Sequence, residues 1–412
     1  MVKRLISILF PFRGLPRSIY ILFFARVVNR AGDFVHFFMT LYVTRVLGFT
    51  VQQAGYVLTA VALAMLIGGL FSGKVADSWG RKRVMLWSQG LSASVLFLCG
   101  FFSDATWLPW MLVLSQFFMG AVRPASQALV TDLSPPNLRR EAFGLLYFGI
   151  NLGVAIGPLV AGFLFEKYRS WLFWGDSITT FVALILVAIF VEEPDSDVPV
   201  QGSSWEHKDD SSLFQAFFGR KILVVFLAAT VVSHFVYAQV GFSLPLLMET
   251  LFDAKSAQVF GSIMTLNALI VILITPLCLK GLHRFQTAHN MVAGALFYVV
   301  GFGVLAVIPP SLAWVFASTI FWTVGEVIFA TNARVFSASH TPVNHRGRFA
   351  SIEEATRSGG RIVAPMIAGL LTGVLGTRGV WIPVAGAALI LAGVLFLIAR
   401  WNQRLMNSSK ES

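Results

Sequence analysis

Residues 73–83 read GKVADSWGRKR and lie between two long apolar stretches of the chain. This segment holds one acid and four cations, and inserting a single ionised side chain at the centre of a bilayer costs about 2.5–3.5 kcal/mol even on a lenient scale. We therefore expect it to form a water-facing turn between two membrane-spanning helices. Short cytoplasmic connections of membrane proteins are enriched in Lys and Arg, so its basic charge predicts that the turn faces the cytoplasm.

The composition indicates a chain whose solvent is largely lipid. Of its 412 residues, 56% are hydrophobic and 12% are charged, whereas soluble domains carry about 25% charged residues. A helix that crosses a bilayer needs about 20 apolar residues. We predict an all-α integral membrane protein with twelve transmembrane helices, called spans 1 to 12 in chain order: 18–46, 51–76, 84–103, 106–132, 138–165, 169–191, 221–251, 256–279, 287–308, 311–337, 348–375 and 378–400.

The net charge of +11 does not indicate nucleic-acid binding. With both termini placed in the cytoplasm, most Lys and Arg residues fall in the termini and the cytoplasmic connections, and few fall on the opposite side. Such an asymmetry orients membrane proteins. We therefore predict a multi-pass protein of the cell membrane, with cytoplasmic N- and C-termini and without a nucleic-acid partner.

The chain is predicted to contain two pseudo-symmetric six-helix bundles. The long polar stretch at 193–220 separates an N-terminal bundle, residues 1–192, from a C-terminal bundle and short tail, residues 221–412. The sequence GPLVAG at 157–162 is echoed by APMIAG at 364–369, which indicates a duplication. Transporters built from such repeats bind their ligand near the bilayer midplane, at the interface of the repeats, and rock one half against the other.

The segment at 73–83 resembles the loop signature of the major facilitator superfamily, Gly-x-x-x-Asp-x-x-Gly-Arg-(Lys/Arg). The matching residues are Gly73, Asp77, Gly80, Arg81 and Lys82. Span 5 is similar to the Gly-Pro motif of the drug:proton antiporter branch, through Gly149, Gly153, Gly157, Pro158 and Gly162. Glycine at every fourth position also serves ordinary helix packing. The resemblance covers nearly the whole chain and implies the twelve-helix fold of that family and transport by alternating access.

The resemblance has one departure in span 4. The antiporter branch usually carries an Arg there, one turn before a Gly. In this chain Gln116 precedes Gly120, and the nearest cation is Arg123. Arg123 either takes over the role of the missing Arg or does not, and the sequence leaves both possibilities open.

In that family, the loop after span 2 forms a latch that holds the cytoplasmic side shut in the outward-open state. Asp77 ends span 2 close to the expected start of span 11. A carboxylate there can meet the positive N-terminus of a helix and the nearby Arg346 or Arg348. We therefore predict a cytoplasmic latch between these residues and the loop; a solvated anchor loop is the alternative.

Ionisable residues within the spans mark the predicted substrate cavity, because lipid would leave them without partners. Span 1 carries a polar stripe at helical spacing, made of Arg26, Asn29, Arg30, Asp33 and His36. Span 11 carries Glu353, Glu354, Arg357 and Arg361, so Glu353 can pair with Arg357 within one helix. Further cavity candidates are Arg123, Asn151, His234, Tyr237, Gln239 and Glu326. The resemblance implies that spans 1, 4, 7 and 10 line the cavity, with spans 5, 8 and 11 more peripheral.

A proton-coupling carboxylate must be buried, and a partner must sense its charge. Asp33 is the first candidate because it lies deep in span 1, one turn from Arg30. Glu326 in span 10 is the second. Glu353 and Glu354 lie nearer the cytoplasmic end of their span, where they could act as gating pairs instead. For each carboxylate, a structural ion pair with an Arg is the alternative.

These patterns predict a transporter rather than an enzyme, because the sequence has no Gly-x4-Gly-Lys-(Ser/Thr) segment, metal cluster or nucleophile constellation. The expected activity is proton-coupled export of amphipathic small molecules by a monomer, driven by the proton gradient without a bound cofactor or metal. Cations outnumber acids at membrane depth, which favours an anionic or zwitterionic cargo. The alternatives are proton-coupled uptake of a zwitterionic or anionic nutrient such as a peptide, and translocation of a lysophospholipid or glycolipid.

Overall fold

The structure, a computed structural model, describes residues 12, 14–193, 219–282, 285–309, 311–341 and 346–411. Within these ranges the chain is built of α-helices, connected by short turns, by short 3-10 helices and by the π-helical segment Tyr42–Val46, with no strand. The helices are α1 (Arg17–Ala31), α2 (Phe34–Leu41), α3 (Val51–Trp79), α4 (Arg81–Cys99), α5 (Leu108–Leu133), α6 (Arg139–Val154), α7 (Gly157–Lys167), α8 (Arg169–Phe190), α9 (Lys221–Ala238), α10 (Ser243–Phe252), α11 (Ser256–Gly281), α12 (Thr287–Gly303), α13 (Leu312–His340), α14 (Arg346–Gly379) and α15 (Trp381–Glu411).

Eight helical segments in the described part of the chain are long and apolar enough to cross a membrane. One of them, Lys221–Cys278, is 58 residues long and includes α9, α10 and most of α11. The predicted all-α membrane fold is therefore confirmed. The count of twelve spans stays a prediction, because α1 and α2 are each too short to cross a membrane, and α4 and α5 are not among the eight segments.

The chain forms two compact units, each with its own apolar core. The first contains Met1–Phe49, Ala60–Val198 and Ala257–Leu269, and the second contains the remainder. In the first unit the core lies where α1, α5 and α6 meet, around Ile19, Leu129 and Ala142. In the second it includes Phe226, Phe336 and Leu395 from α9, α13 and α15. The predicted boundaries at 192 and 221 stay a prediction, and most of the linker between them lies outside the described residues.

Many large apolar side chains are exposed, as lipid-facing helices require. Leu70, Trp110, Val374 and Ile382 are among the most exposed of them. A soluble protein would bury such side chains, since each one buried in place of exposed gains about 1.5–3 kcal/mol. Their position on the outside of the helices agrees with a membrane environment.

Span 1 is interrupted, whereas a continuous helix over 18–46 was predicted. α1 ends at Ala31, Gly32 and Asp33 lie between the helices, and α2 begins at Phe34. A Cβ at position 32 would overlap the side chain of Thr179 in α8, so only glycine fits this close approach. The break follows from this approach and from the weak helix propensity of Gly and Asp.

Spans 5 and 7 are also interrupted. Span 7, predicted as one helix over 221–251, breaks between Ala238 and Ser243. In span 5 the Gly-Pro motif lies at the interruption. α6 ends at Val154, and α7 begins at Gly157 with Pro158 in its first turn, where the missing N–H of proline costs nothing. A Cβ at Gly153 would lie 2.5 Å from the Cβ of Arg30 and 2.8 Å from the carbonyl oxygen of Val27. Gly153 therefore allows α6 to approach α1 at backbone contact distance.

Candidate substrate and proton site

An ion pair lies at the break in span 1. Arg30, one residue from the end of α1, donates a hydrogen bond from Nη1 to Oδ2 of Asp33. The Asp33 side chain is 13% exposed, so the pair is partly shielded from solvent. Protonation of Asp33 would remove the ionic part of this contact, which is the behaviour that a coupling carboxylate requires.

A second carboxylate reaches the same break from α8. Asp176 is 6% exposed, and its Oδ2 accepts a hydrogen bond of 3.2 Å from the backbone N–H of Val35. The charges of Asp33 and Arg30 also act on it. The first N–H groups of a helix have no acceptor inside the helix. Asp176 supplies an acceptor for one of them at the start of α2. We call Arg30, Asp33 and Asp176 the break cluster.

Sequence reasoning did not single out Asp176. It is the one acid within α8, and no charged neighbour at helical spacing drew attention to it. The available signal was its depth, because a lone ionisable residue inside a span is costly and is retained when it has a function or a partner. Its partner is backbone in another span, which a sequence pattern does not reveal.

A small cavity borders both carboxylates of the break cluster. Its lining includes Asp33, Asp176, His36 of α2, Ser92 of α4 and Gln116 of α5. Gln116 is the residue found where the antiporter branch usually carries Arg. Gln116 and Asp33, the first coupling candidate, thus line the same cavity within one unit.

The rest of the polar stripe of span 1 contacts two different helices. Arg26 donates from Nη2 to the hydroxyl oxygen of Ser126 in α5, at 2.6 Å. Asn29 is buried and donates from Nδ2 to the hydroxyl oxygen of Thr180 in α8, at 2.9 Å. The side chain of Asn29 therefore joins two helices, whereas Arg26 is directed toward the helix that also carries Arg123.

In the second unit, four of the charged residues of α14 form a chain of ion pairs. Arg357 Nη2 lies 2.7 Å from Glu353 Oε1, the pair that the sequence predicted, and Arg357 Nε lies 3.7 Å from Glu354 Oε2. Arg361 Nη2 lies 3.3 Å from Glu354 Oε1. Glu353 also accepts a hydrogen bond of 2.7 Å from Ser337 of α13. We call Glu353, Glu354, Arg357 and Arg361 the α14 ladder.

Other cavity candidates of the second unit lie on α9 or near its end. His234 Nδ1 is 2.8 Å from the carbonyl oxygen of Thr230, and the charges of Arg357 and Arg361 act on the ring. Tyr237 packs edge-on against Trp322. Gln239 is buried, and its Oε1 accepts a hydrogen bond of 2.6 Å from the hydroxyl of Ser243, four residues later in the chain.

Two further candidates lie elsewhere. Asn151 in α6 donates to the carbonyl oxygen of Tyr147 one turn earlier, at 2.9 Å, so its amide hydrogen bond is local. Glu326 in α13 is half-buried, and its charge acts on Tyr298 of α12. Glu326 and the break cluster belong to different units.

The predicted latch is described in part. Gly80 has a φ of +94°, a left-handed conformation that favours glycine, and it turns the chain between α3 and α4. Arg81 pairs with Asp132 at the end of α5, and the backbone N–H of Lys82 donates to Glu193 Oε1 at 3.0 Å. The side chains of Gly73, Asp77, Arg346 and Arg348 lie outside the described part of the structure, so the latch stays a prediction.

The long apolar helices and their exposed apolar side chains define a multi-pass helical membrane protein. Residues 22–352 match the profile of the Major Facilitator Superfamily, and the chain belongs to that family. The resemblance found in residues 73–83 is thereby confirmed.

Relatives and solved structures agree with this assignment. The chain is 24% identical to a Na(+), Li(+), K(+)/H(+) antiporter of Planococcus maritimus, over 84% of this chain and 87% of the relative. It is also 24% identical to the multidrug resistance protein MdtG of Proteus mirabilis (strain HI4320), over 89% of this chain and 91% of the relative. A POT family transporter crystallised with a thioalcohol-conjugated peptide shares the fold with a TM-score of 0.77 at 15% identity, covering 94% of this chain and 97% of the other.

Proposed function

We propose that this protein exports amphipathic small molecules across the cell membrane in exchange for protons, by alternating access and as a monomer. Its termini face the cytoplasm, and the proton gradient drives the cycle without a bound cofactor. The break cluster carries the proposal, because it places two carboxylates and one arginine where span 1 changes from one helix to another. The antiporter and the multidrug resistance protein among its relatives support the direction and the coupling.

In the proposed cycle, the proton binds at Asp33. Arg30 holds the ionised carboxylate, and protonation weakens that contact because a neutral carboxyl attracts a guanidinium less. Asp176 holds the start of α2 through Val35 at the same place. A change of charge at Asp33 therefore acts directly on the joint between α1 and α2, which is where a change of span geometry costs least.

The cytoplasmic latch is a further element of the proposal. It is tested by Asp77→Asn, which keeps the size of the side chain and removes its charge. We expect this variant to reach the membrane at the wild-type level and to lose transport. Wild-type transport by Asp77→Asn would leave the loop as a solvated anchor.

A second candidate function is proton-coupled uptake of an anionic or zwitterionic nutrient. The observation that favours it is the positive charge around Arg26, on which two further arginines act. Solved peptide transporters with the same fold are consistent with such a cargo. Lipid translocation, the remaining alternative, is examined by the same experiment.

The proposal is tested with the purified protein in liposomes under an imposed pH gradient. Labelled drugs, peptides and lysophospholipids are supplied in separate samples, and a trapped dye reports internal pH. We expect drug flux against its own gradient together with proton movement in the opposite direction. Peptide flux in the same direction as protons would favour uptake. Lipid movement that ignores the gradient would contradict antiport.

A further inference from the structure

The arginines of the first unit differ in how their charges are balanced. Arg30 is paired with Asp33. Arg26 makes its one described hydrogen bond to the neutral hydroxyl of Ser126, and no described carboxylate lies within ion-pair distance of it. The charges that act on Arg26 are those of Arg30 and Arg123, and both are positive. Among the described residues, the guanidinium of Arg26 therefore lacks the counter-charge that would offset its desolvation at membrane depth.

The surroundings of Arg26 leave its remaining donors available. Ser126 is 2% exposed and holds only Nη2. A guanidinium carries five N–H donors in a fixed fork. In the described part of the chain, the Nε and Nη1 atoms of Arg26 have no acceptor, and neither atom is fully buried. Arg123 lies three residues before Ser126 on α5, so both side chains share one face of that helix. Arg26 is thus oriented by one contact and open at the rest of its fork.

We infer that Arg26, oriented by Ser126 and assisted by Arg123, binds the negatively charged group of the cargo. The cargo is then an organic anion that carries a carboxylate or a phosphate, since the guanidinium fork binds two oxygens of either group at once. A cationic cargo would be repelled, and a neutral one would leave the charge of Arg26 unbalanced. The inference rests on the proposed function, because it names the chemical class of what the transporter carries.

Equilibrium binding to the purified full-length chain in detergent tests this inference. The probes are 1-naphthoate, the neutral 1-naphthamide, 1-naphthylmethylammonium, and a lysophosphatidate as the lipid source of a phosphate. We expect the wild-type protein to bind at least one of the two anions more than tenfold more tightly than the amide and the ammonium compound. Whichever anion binds identifies the source of the charged group. Equal binding of amide and anion, or binding of neither anion, overturns the inference.

Variants then locate the charged group. Arg26→Gln is expected to weaken binding of the anion on the order of tenfold or more, the usual loss for a hydrogen-bonded charge, and to leave amide binding unchanged. Arg26→Lys keeps the charge without the fork, so its affinity for the anion should lie between those of the wild type and Arg26→Gln. The matched control is Arg169→Gln, because Arg169 lies in the same unit, is 42% exposed and stands 3.9 Å from Asp104. An equal loss in Arg169→Gln overturns the assignment to Arg26.

A second set of variants applies if Arg26→Gln does not fold. Ser126→Ala removes the contact that orients the guanidinium, and Arg123→Gln removes the assisting charge; each should weaken anion binding severalfold. Wild-type anion affinity in both variants overturns the inference. Since none of these measurements needs a proton gradient, their failure is distinct from the failure of proton coupling in liposomes.

Discussion

At the break in span 1, charged groups from two helices meet, and a carboxylate of α8 holds the backbone of α2 beside an ion pair. On α14, in contrast, four charged residues follow one another along one continuous helix. Asp176 in the break cluster is 6% exposed, whereas the Glu354 side chain in the α14 ladder is 41% exposed. A change of charge in the break cluster therefore alters how helices are joined, while at Glu354 it alters contacts that solvent already screens.

The difference shows why charged residues at similar predicted depth need not share a role. An ion pair within one helix holds no other helix in place, and an exposed pair contributes about 0–1 kcal/mol. The break cluster combines an ion pair with a hydrogen bond to backbone at a helix start. In the ladder, Glu353 also accepts a hydrogen bond from Ser337 of α13, and it is the more buried of the two glutamates.

Asp33→Asn should have the largest effect. The variant keeps the size of the side chain but can neither ionise nor form an ion pair with Arg30, so we expect gradient-driven transport in liposomes to fall to background. Asp104→Asn is the matched control, because Asp104 is 77% exposed and should leave transport unchanged. Coupled transport by Asp33→Asn would show that another carboxylate carries the proton. The proposed difference in function between the break cluster and the α14 ladder would then be wrong.

Asp176→Leu should have the next largest effect, on stability. The leucine leaves the N–H of Val35 buried without its partner, which costs about 1–3 kcal/mol of the free energy of unfolding. Asp176→Asn keeps an acceptor oxygen and should lose less. Chemical unfolding of the two variants in detergent measures the difference. Equal stability of Asp176→Leu and the wild type would show that α2 starts without help from α8.

The sequence predicted the four residues of the ladder and one of its three ion pairs, and only part of the break cluster. The pair between Glu353 and Arg357 follows from a spacing of four residues, which brings side chains together on any helix. Arg30 and Asp33 are close in sequence in the same way. Asp176 could not be found by spacing, because its partner is a backbone N–H that becomes available only where span 1 breaks. The break itself depends on the approach of Thr179 to Gly32, a tertiary contact.

The same reasoning explains what composition could and could not predict about the fold. Hydropathy, charge asymmetry and the loop signature were sufficient for an all-α membrane fold and for the family. The interruptions in spans 1, 5 and 7 were not predicted, since apolar length alone does not distinguish one long helix from two short ones. A glycine lies at or beside each of the three breaks, but most glycines in spans serve packing within continuous helices.

Gly153→Ala tests how tightly α6 supports the helix that ends at the break. The added methyl would lie 2.5 Å from the Cβ of Arg30 and 2.9 Å from the backbone nitrogen of Ala31, so a helix must shift. Overpacking of this kind costs about 1–3 kcal/mol, seen as a lower unfolding temperature. Gly144→Ala on the same helix is the control, because its nearest described contact is a side chain at 3.4 Å. Equal losses of unfolding temperature in Gly153→Ala and Gly144→Ala would show that the close approach of α6 to α1 does not contribute to stability.

Glu354→Gln should have the smallest effect and is the sharpest test of the comparison. Its contacts to Arg357 and Arg361 are long, at 3.7 and 3.3 Å, and its side chain is partly exposed. We therefore expect a free energy of unfolding within about 0.5 kcal/mol of the wild type, as for exposed pairs in general. The transport rate should stay within a factor of about two, because a contact this weak cannot change the rate by more. Glu353→Gln should be more harmful, because Glu353 is more buried and also binds Ser337. If Glu354→Gln uncoupled transport as Asp33→Asn is expected to do, the ladder would carry the proton, and its exposure would have to serve as the route by which the proton enters.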